Sequence, residues 1–317
     1  MPFLGRDSFV GFGEETVWGT AVARTLWFRL VSENLRRSVT KVSRGVLAEA
    51  GASGNIRSHY RSQDKVAGDI VLLAGYEGQG VLWKHALWGT PTTSAPVGGI
   101  YTHTFKLGTA PPTGGLTVEV IRGTATTAAL YEGMRITKMS WEVEAGGLVR
   151  ITLSVLGQTS TLPAAGTATI TTNELDVIHS QVGVVVWNAQ NYAARMVRVE
   201  IDNKLVERQL LGDLTMKEPK QGDFRDVRVS MDAELENDNL QVGYTADTEA
   251  NLTCAITGVS SRTMALTLHK AYIDDNSAPL SQVGVIAENT VFRGQSDGTD
   301  EGFQIVIANT QATALAA

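Results

Sequence analysis

Cysteine is nearly absent. Cys254 stands alone in 317 residues, so an intrachain disulfide and a thiolate metal cluster are both excluded. Its surroundings, Leu252-Thr253-Cys254-Ala255-Ile256, lean apolar and read as the site of a small buried hydrophobe rather than a nucleophile. Basic charge is short as well. Lys and Arg number 27 against 33 Asp and Glu, a formal net charge of −6, which leaves no basic excess to grip a phosphate backbone. Nucleic acid that only slides past is compatible with that balance. Long apolar runs are missing: stretches such as Val182–Trp187 fall far below the roughly 20 residues that span a bilayer. Met1 to Phe12 lacks the basic-then-apolar order of a secretory signal, so assembly inside a cell, with no membrane anchor, is expected. Neither HExxH nor CxxC occurs. Gly11-Phe12-Gly13 lacks the third glycine, the preceding strand and the following helix of a phosphate-binding loop. No catalytic, metal or cofactor site is therefore expected.

Apolar residues make up 43% and charged residues 19%, the balance of a folded chain rather than a disordered one. Alternation of period two dominates. Val149, Ile151, Leu153 and Val155 oppose Arg150, Thr152 and Ser154, and Val227, Val229, Met231, Ala233 and Leu235 oppose Arg228, Ser230, Asp232, Glu234 and Glu236. Such patterns mark strands with one packed and one wet face. Further strands are expected within 70–73, 102–107, 116–121, 135–143, 183–187, 196–201, 265–269 and 304–308. Helix is scarce: residues 78–88, with Gly89 as the stop, and a weaker turn over 238–244.

Length suggests about two domains. The small, Thr-rich stretch 157–173 looks like a connector, which places a first β domain with an N-terminal arm at 1–158, a connector at 159–175 and a second β domain at 176–317. The halves share an order of features. Leu30–Leu35 and Val199–Leu205 each present a strand, an acid, an Asn and a Leu. Each is followed by a long polar excursion, 41–65 and 207–226, then an apolar strand, 66–74 and 227–235. Internal duplication explains this order, and so does the generic turn-and-strand rhythm of all-β chains.

Few residues suggest chemistry. His103 and His269 lie in strand patterns and read as structural, and His59 reads as solvated. Glu142 and Glu144, and Asp232, Glu234 and Glu236, recur at i, i+2 and so share a strand face roughly 7 Å apart, a spacing known from glycosidase acid pairs. A solvent-facing acidic stripe explains them equally. The six tryptophans read mainly as core, with Trp18 and Trp27 also candidates for contact between subunits.

The opening Val10-Gly11-Phe12-Gly13-Glu14-Glu15-Thr16-Val17-Trp18-Gly19-Thr20-Ala21 resembles the start of the tail tube proteins of long-tailed (siphophage-type) bacteriophages. The resemblance continues through Leu30–Leu35, Leu82–Gly89, Tyr101–Phe105, Tyr131-Glu132-Gly133, 147–157, 199–205 and 282–292, and so covers nearly the whole chain. It implies an all-β fold of two tandem tube-like β-sandwich or half-barrel domains with short flanking helices. It also implies a structural virion protein, assembled in the host cytoplasm, whose subunits join edge to edge into rings that stack into a hollow tail. A subunit with two tube domains would fill two positions of a six-fold ring, giving a trimeric pseudo-hexamer. Implied partners are further copies of the chain, the tail terminator and tail tip proteins, and phage DNA passing through the lumen without tight binding.

An acidic lumen would repel phosphates over a screening length near 8 Å. Glu142, Glu144, Asp232, Glu234 and Glu236 are its candidate lining. Arg44, Arg57, Arg61 and Lys65 in the first excursion, and Lys217, Glu218, Lys220 and Asp223 in the second, are candidate ring-to-ring contacts, because excursions of this length are uncommon without a function. Deleting residues 50–61 should leave folded subunits that no longer polymerise. Two rival readings are a carbohydrate-binding or adhesin-like β-sandwich, which would expose aromatics on one face, and a glycoside hydrolase built on a carboxylate pair.

Overall fold

A computed structural model describes residues 8–43, 59–123, 128–162, 177, 179–279, 286–296, 298 and 302–315. The first half opens with β1 (Phe9–Glu14), β2 (Leu26–Arg29), β3 (Ser32–Glu33) and β4 (Arg36–Ser43), then β5 (His59–Leu73) and helix α1 (Gly80–Leu87). Then follow β6 (Thr92–Thr93), β7 (Tyr101–Lys106), β8 (Leu116–Ile121), β9 (Ala128–Glu144), β10 (Arg150–Gly157) and β11 (Thr159–Thr161). The second half holds β12 (Val182–Trp187), β13 (Gln190–Tyr192), β14 (Ala194–Asp202), β15 (Leu205–Arg208), β16 (Lys217–Gln221) and β17 (Asp226–Glu234). It ends with α2 (Asn239–Thr245), β18 (Ala250–Thr257), β19 (Thr263–Ser277), β20 (Ala287–Arg293) and β21 (Phe303–Asn309). Strand takes 59% and helix 6%, which makes the fold all-β as expected. Every strand expected from alternation is present.

One central sheet runs through the molecule in the order β3/β4, β5, β10, β9, β14, β17, β20, β19. A flanking sheet, β2-β1-β8-β9-β11, covers its first half. Another, β13-β12-β18-β19-β21-β7-β6, covers its second. The long strands β9 and β19 each belong to two sheets. Each passes from a flanking sheet into the central one, at Gly133 (φ 63°) and Lys270 (φ 42°) respectively.

The second half repeats the first, pairing by pairing. β12 with β13, β18 with β12, and β19 with β18, β21 and β20 reproduce β1 with β2, β8 with β1, and β9 with β8, β11 and β10. The pairs β20–β17 and β17–β14 reproduce β10–β5 and β5–β3/β4. Each half also carries a helix after its β5 or β17 strand. The shared order of features in the sequence thus corresponds to a shared topology. Outside these matched pairings lie the β15–β16 hairpin, at the place of the β4–β5 arm, and the β6–β7 hairpin. The latter lies between α1 and β8 and closes onto β21 of the other half.

A single apolar cluster fills the space between the central and flanking sheets in both halves. Trp83, Trp141, Trp187, Phe12, Phe105 and Phe292 are fully buried in it, each contributing about 1.5–3 kcal/mol by leaving water. Residues of β17 alternate buried and half-exposed, as their pattern requires. Helix α1 is buried on nearly all sides and ends differently from expectation. Trp88, not Gly89, takes the left-handed cap (φ 64°), and its N–H donates to Lys84 O. Gly89 is needed for space instead, since a Cβ there would lie 2.0 Å from Lys106 O.

Arg225 binds the halves together. Its guanidinium donates to Ala86 O, Leu87 O and Gly108 O, its Nε donates to Asn203 Oδ1, and it lies 4.3 Å over the Trp88 ring. Burial pushes its pKa down to about 10, so the cation persists at neutral pH.

Candidate functional site

The central sheet turns one face to the apolar core and the other, polar, face to water. The register aligns Glu142 with Arg150 on one side and Arg198 on the other, and Asp202 with Lys138 and Asp226. Glu142 and Glu144 of β9 and Asp232 and Glu234 of β17 all stand on this face, with β14 between the two strands. Glu236 lies exposed beyond the end of β17. The expected acidic stripe is therefore a face of mixed charge. Arg198 approaches Glu142 at 3.6 Å, Arg195 pairs with Glu234 at 2.9 Å, and Lys138 with Glu200 at 2.6 Å. The pairing continues along the face: Lys204 meets Asp202 at 2.6 Å, and Asp226 meets Arg228 and, at 3.8 Å, Arg293. Among the described residues, no group of three or more His, Cys, Asp or Glu could hold a metal ion.

The two excursions are hairpins rather than loops. In the first, β4 pairs with the start of β5, from Arg36↔Ala67 to Ser43↔His59. Arg61 there bonds to Asp64 at 2.7 Å, while Arg44 and Arg57 lie outside the described residues, as does most of 50–61. His59 is exposed, but on a strand. In the second, β15 pairs with β16. The two hairpins touch: Lys65 Nζ lies 2.5 Å from Glu207, and Met216 N donates to Asp64 O at 3.0 Å. Glu218 reaches Arg135 at 2.6 Å, and Lys217 pairs with Asp213 at 3.0 Å. Lys220 sits 3.5 Å from Glu218, and Asp223 accepts from Phe224 N. Much of the charge expected to act between rings is thus engaged within the chain.

A buried carboxylate just after β1 belongs to the opening motif, although the sequence alone assigns it no role. Glu15 is only 2% exposed, and its oxygens accept from Gly19 N, Thr117 Oγ1 and Gly133 N at 2.8–3.0 Å. Beside it Arg135 lies over the Trp18 ring. The neighbouring Glu14 bonds Lys84 and His85 of α1 at 2.6 and 2.9 Å. Gly11 and Gly13 sit inside β1, where a Cβ would strike the Trp27 ring or Ala23 O. The opening motif therefore closes the first half: two glycines admit neighbours, and two acids tie β1 to β8, β9 and α1. Trp27 is covered within the chain by Ile121 and Ala128. His103 bonds Thr93 Oγ1 and Asn309 Oδ1. Cys254 is buried, and burial pushes its thiol up to about 12. The only helices among the described residues are short, and none is long and apolar enough to cross a membrane.

The central sheet keeps two open edges. Among the described residues, residues 272–277 of β19 pair only with β20, and β3 and β4 pair only with β5. Unpaired edges of this kind are where a strand of a neighbouring chain can add. Family comparison agrees. The family described as phage tail tube protein matches residues 5–294, and the chain belongs to it. It is accordingly a structural component of a phage tail, of a family that self-assembles into tubes. No curated protein matches the chain.

Proposed function

We propose that this chain is the major tail tube subunit, three copies of which close head to tail into a pseudo-hexameric ring. Each half is one tube unit in this reading, and stacked rings form the conduit for DNA ejection. The observation that carries it is the seam inside the chain. There β9 of the first half pairs with β14 of the second without interruption, from Met196↔Glu144 to Asp202↔Lys138. The β15–β16 hairpin of the second half leans back onto Arg135 and Asp64 of the first.

Under the repeated topology, β19 corresponds to β9 and β3/β4 to β14. The open β19 edge of one chain thus suits the open β3/β4 edge of the next, and the β4–β5 hairpin suits the role that β15–β16 plays within the chain. A heterologous contact of this kind generates a closed ring when the rotation matches. Three chains would bring about 24 strands. At about 4.8 Å spacing these close into a barrel roughly 37 Å across before strand tilt widens it.

The polar face of the central sheet then lines the channel, with Glu142, Glu144, Asp232 and Glu234 toward the DNA and Glu236 at its margin. Most of its cations are held by neighbouring acids, so phosphates meet a face of paired charge rather than a basic groove. Tube ends would meet the tail terminator and tail tip proteins. Negative-stain microscopy with sedimentation of the purified chain tests the reading: stacked rings averaging to three chains are expected, and compact monomers across assembly conditions would overturn it.

A further inference from the structure

The tip of the β15–β16 hairpin is apolar where a turn is ordinarily polar. Leu210, Leu211, Gly212 and Asp213 form a β-turn, closed by Asp213 N donating to Leu210 O at 3.3 Å, with Gly212 at φ 88°. Glycine supplies the positive φ that the third position of a type II turn needs, which leaves Leu211 at the outermost corner. Leu211 is fully exposed, Leu214 is 57% exposed and Leu210 47%. The hairpin that carries them is firmly seated. Met216 at its base is fully buried, and Glu218 and Glu207 are ion-paired to the body of the chain. Three leucines held out rigidly in water are costly in a lone subunit and useful in a contact, because little order remains to be lost on binding.

An open cleft of about 90 Å³ lies at the opposite end of the same strand pair. Val143, Val182, Ala194 and Met196 line it, and Glu144 and Arg195 stand on its rim. Ala194 begins β14 and the hairpin follows its end at Asp202, so plug and cleft are separated by roughly 26 Å of strand. No single chain can join them. Both sides carry both signs of charge and can exchange partners across such a contact: Asp213 and Lys217, paired with each other, flank the leucine turn, and Glu144 and Arg195, the latter paired with Glu234, flank the cleft.

Resting on the tube reading above, we propose that the Leu210–Leu214 turn of each chain seats in the cleft between β9, β12 and β14 of an identical chain in the next ring. Plug and cleft on opposite ends make a heterologous contact that does not close, which builds a stack with one polarity. Apolar insertion sets the grip, and the flanking charges set the rotation of one ring on the next.

Paired cysteines test it on the full chain under mild oxidation, with Cys254 left buried. Leu211→Cys with Ala194→Cys should give a disulfide ladder of chains from assembled tubes, and neither single variant should. Tubes that form without a ladder, or a ladder from Leu211→Cys alone, would overturn the proposal. Leu211→Asp gives an independent reading if the cysteine pair fails to assemble. Sedimenting material should then shift from tubes to single rings, and tubes of wild-type length would overturn the docking while leaving ring closure intact. A wild-type chain that never forms rings would instead remove the tube reading itself.

Discussion

The first and second halves of the chain make the same crossover with different chemistry. In the first, β9 leaves its flanking sheet at Gly133, whose N–H donates to the buried Glu15 carboxylate while Trp18 and Gln158 crowd its Cα. In the second, β19 turns at Lys270, whose N–H donates to Asn251 Oδ1 and whose ammonium lies 3.3 Å from Glu249 at the surface. One half uses a glycine in a sealed interior, the other a strained lysine in water. Topology imposes the bend, and the local residues only decide how it is satisfied. Hence strand pairings repeat faithfully while residue identity does not.

The halves also differ in what covers equivalent edges, and this difference carries the largest expected effect. The β14 edge is occupied by β9, whereas the corresponding β3/β4 edge is open. Asn34 N donates to Asp69 O at 3.1 Å, so the N–H of Glu33 beside it faces outward. Glu33→Pro removes that outward donor and keeps the fold, as proline is tolerated on an exposed strand edge. It should abolish rings in sedimentation. Glu33→Ala, which loses the 2.7 Å contact with Arg122 but keeps the N–H, should still form them. Rings from the proline variant would mean that this edge is not a seam.

Within the subunit, the sealed crossover should be the more fragile. Glu15→Ala leaves the N–H groups of Gly19 and Gly133 and the Thr117 hydroxyl without their acceptor, and a loss of about 3 kcal/mol is expected in urea unfolding. Gly133→Ala should cost about 1–3 kcal/mol, because its φ is positive and a Cβ would sit 3.0 Å from both Trp18 and Gln158. Asn251→Ala in the second half removes one surface acceptor and should cost under about 1 kcal/mol. Equal losses at Glu15 and Asn251 would erase the distinction.

The same contrasts decide how much of the molecule is legible in its sequence. Strands such as β10 and β17 are plain because one face is packed and the other wet, so each residue reports its side. Residues 59–61 of β5 form an exposed arm paired with β4, so both faces meet water and no period survives. That is why a hairpin reads as a loop. Glu15 is invisible for another reason. It sits in a polar run, Glu14-Glu15-Thr16, and its partners Thr117 and Gly133 lie more than a hundred positions away. The acids at 142 and 144, and at 232 and 234, share faces as their spacing requires. The pairing of Glu234 with Arg195 and of Glu142 with Arg198 depends on β14 lying between β9 and β17, which is a fact of pairing rather than of composition.

Acid should separate the two helices. Burial alone would raise the Glu14 carboxyl, but hydrogen bonds and charge from His85 and Lys84 outweigh it and hold the group at about 2 against an ordinary 4.5. A depressed carboxyl contributes stability that is complete above about 4.5 and lost as pH falls toward 2. Burial also lowers His85, so protonating it below its usual range opposes the fold in the same direction. Amide protection relative to the intrinsic rate should therefore fall on acidification over α1 before it falls over α2, which has no basic residue in its last turn and no acidic one in its first. Glu14→Gln should flatten the dependence between pH 4.5 and 2. Identical acid profiles for both helices would show that this anchor adds nothing.

The smallest expected effect concerns the strained lysine. Lys270 holds φ at 42°, a region that costs a residue with a Cβ about 1–2 kcal/mol and glycine nothing. Lys270→Gly relieves that strain and gives up the exposed contact with Glu249, which is worth under about 1 kcal/mol, together with the entropy cost of ordering a glycine. The balance is a gain of up to about 1 kcal/mol, readable as a shift in urea midpoint at constant slope. The opposite exchange, Gly133→Lys, has no such latitude, since the interior around Trp18 cannot admit the side chain. If Lys270→Gly destabilises instead, the second crossover depends on its lysine and is as specific as the first.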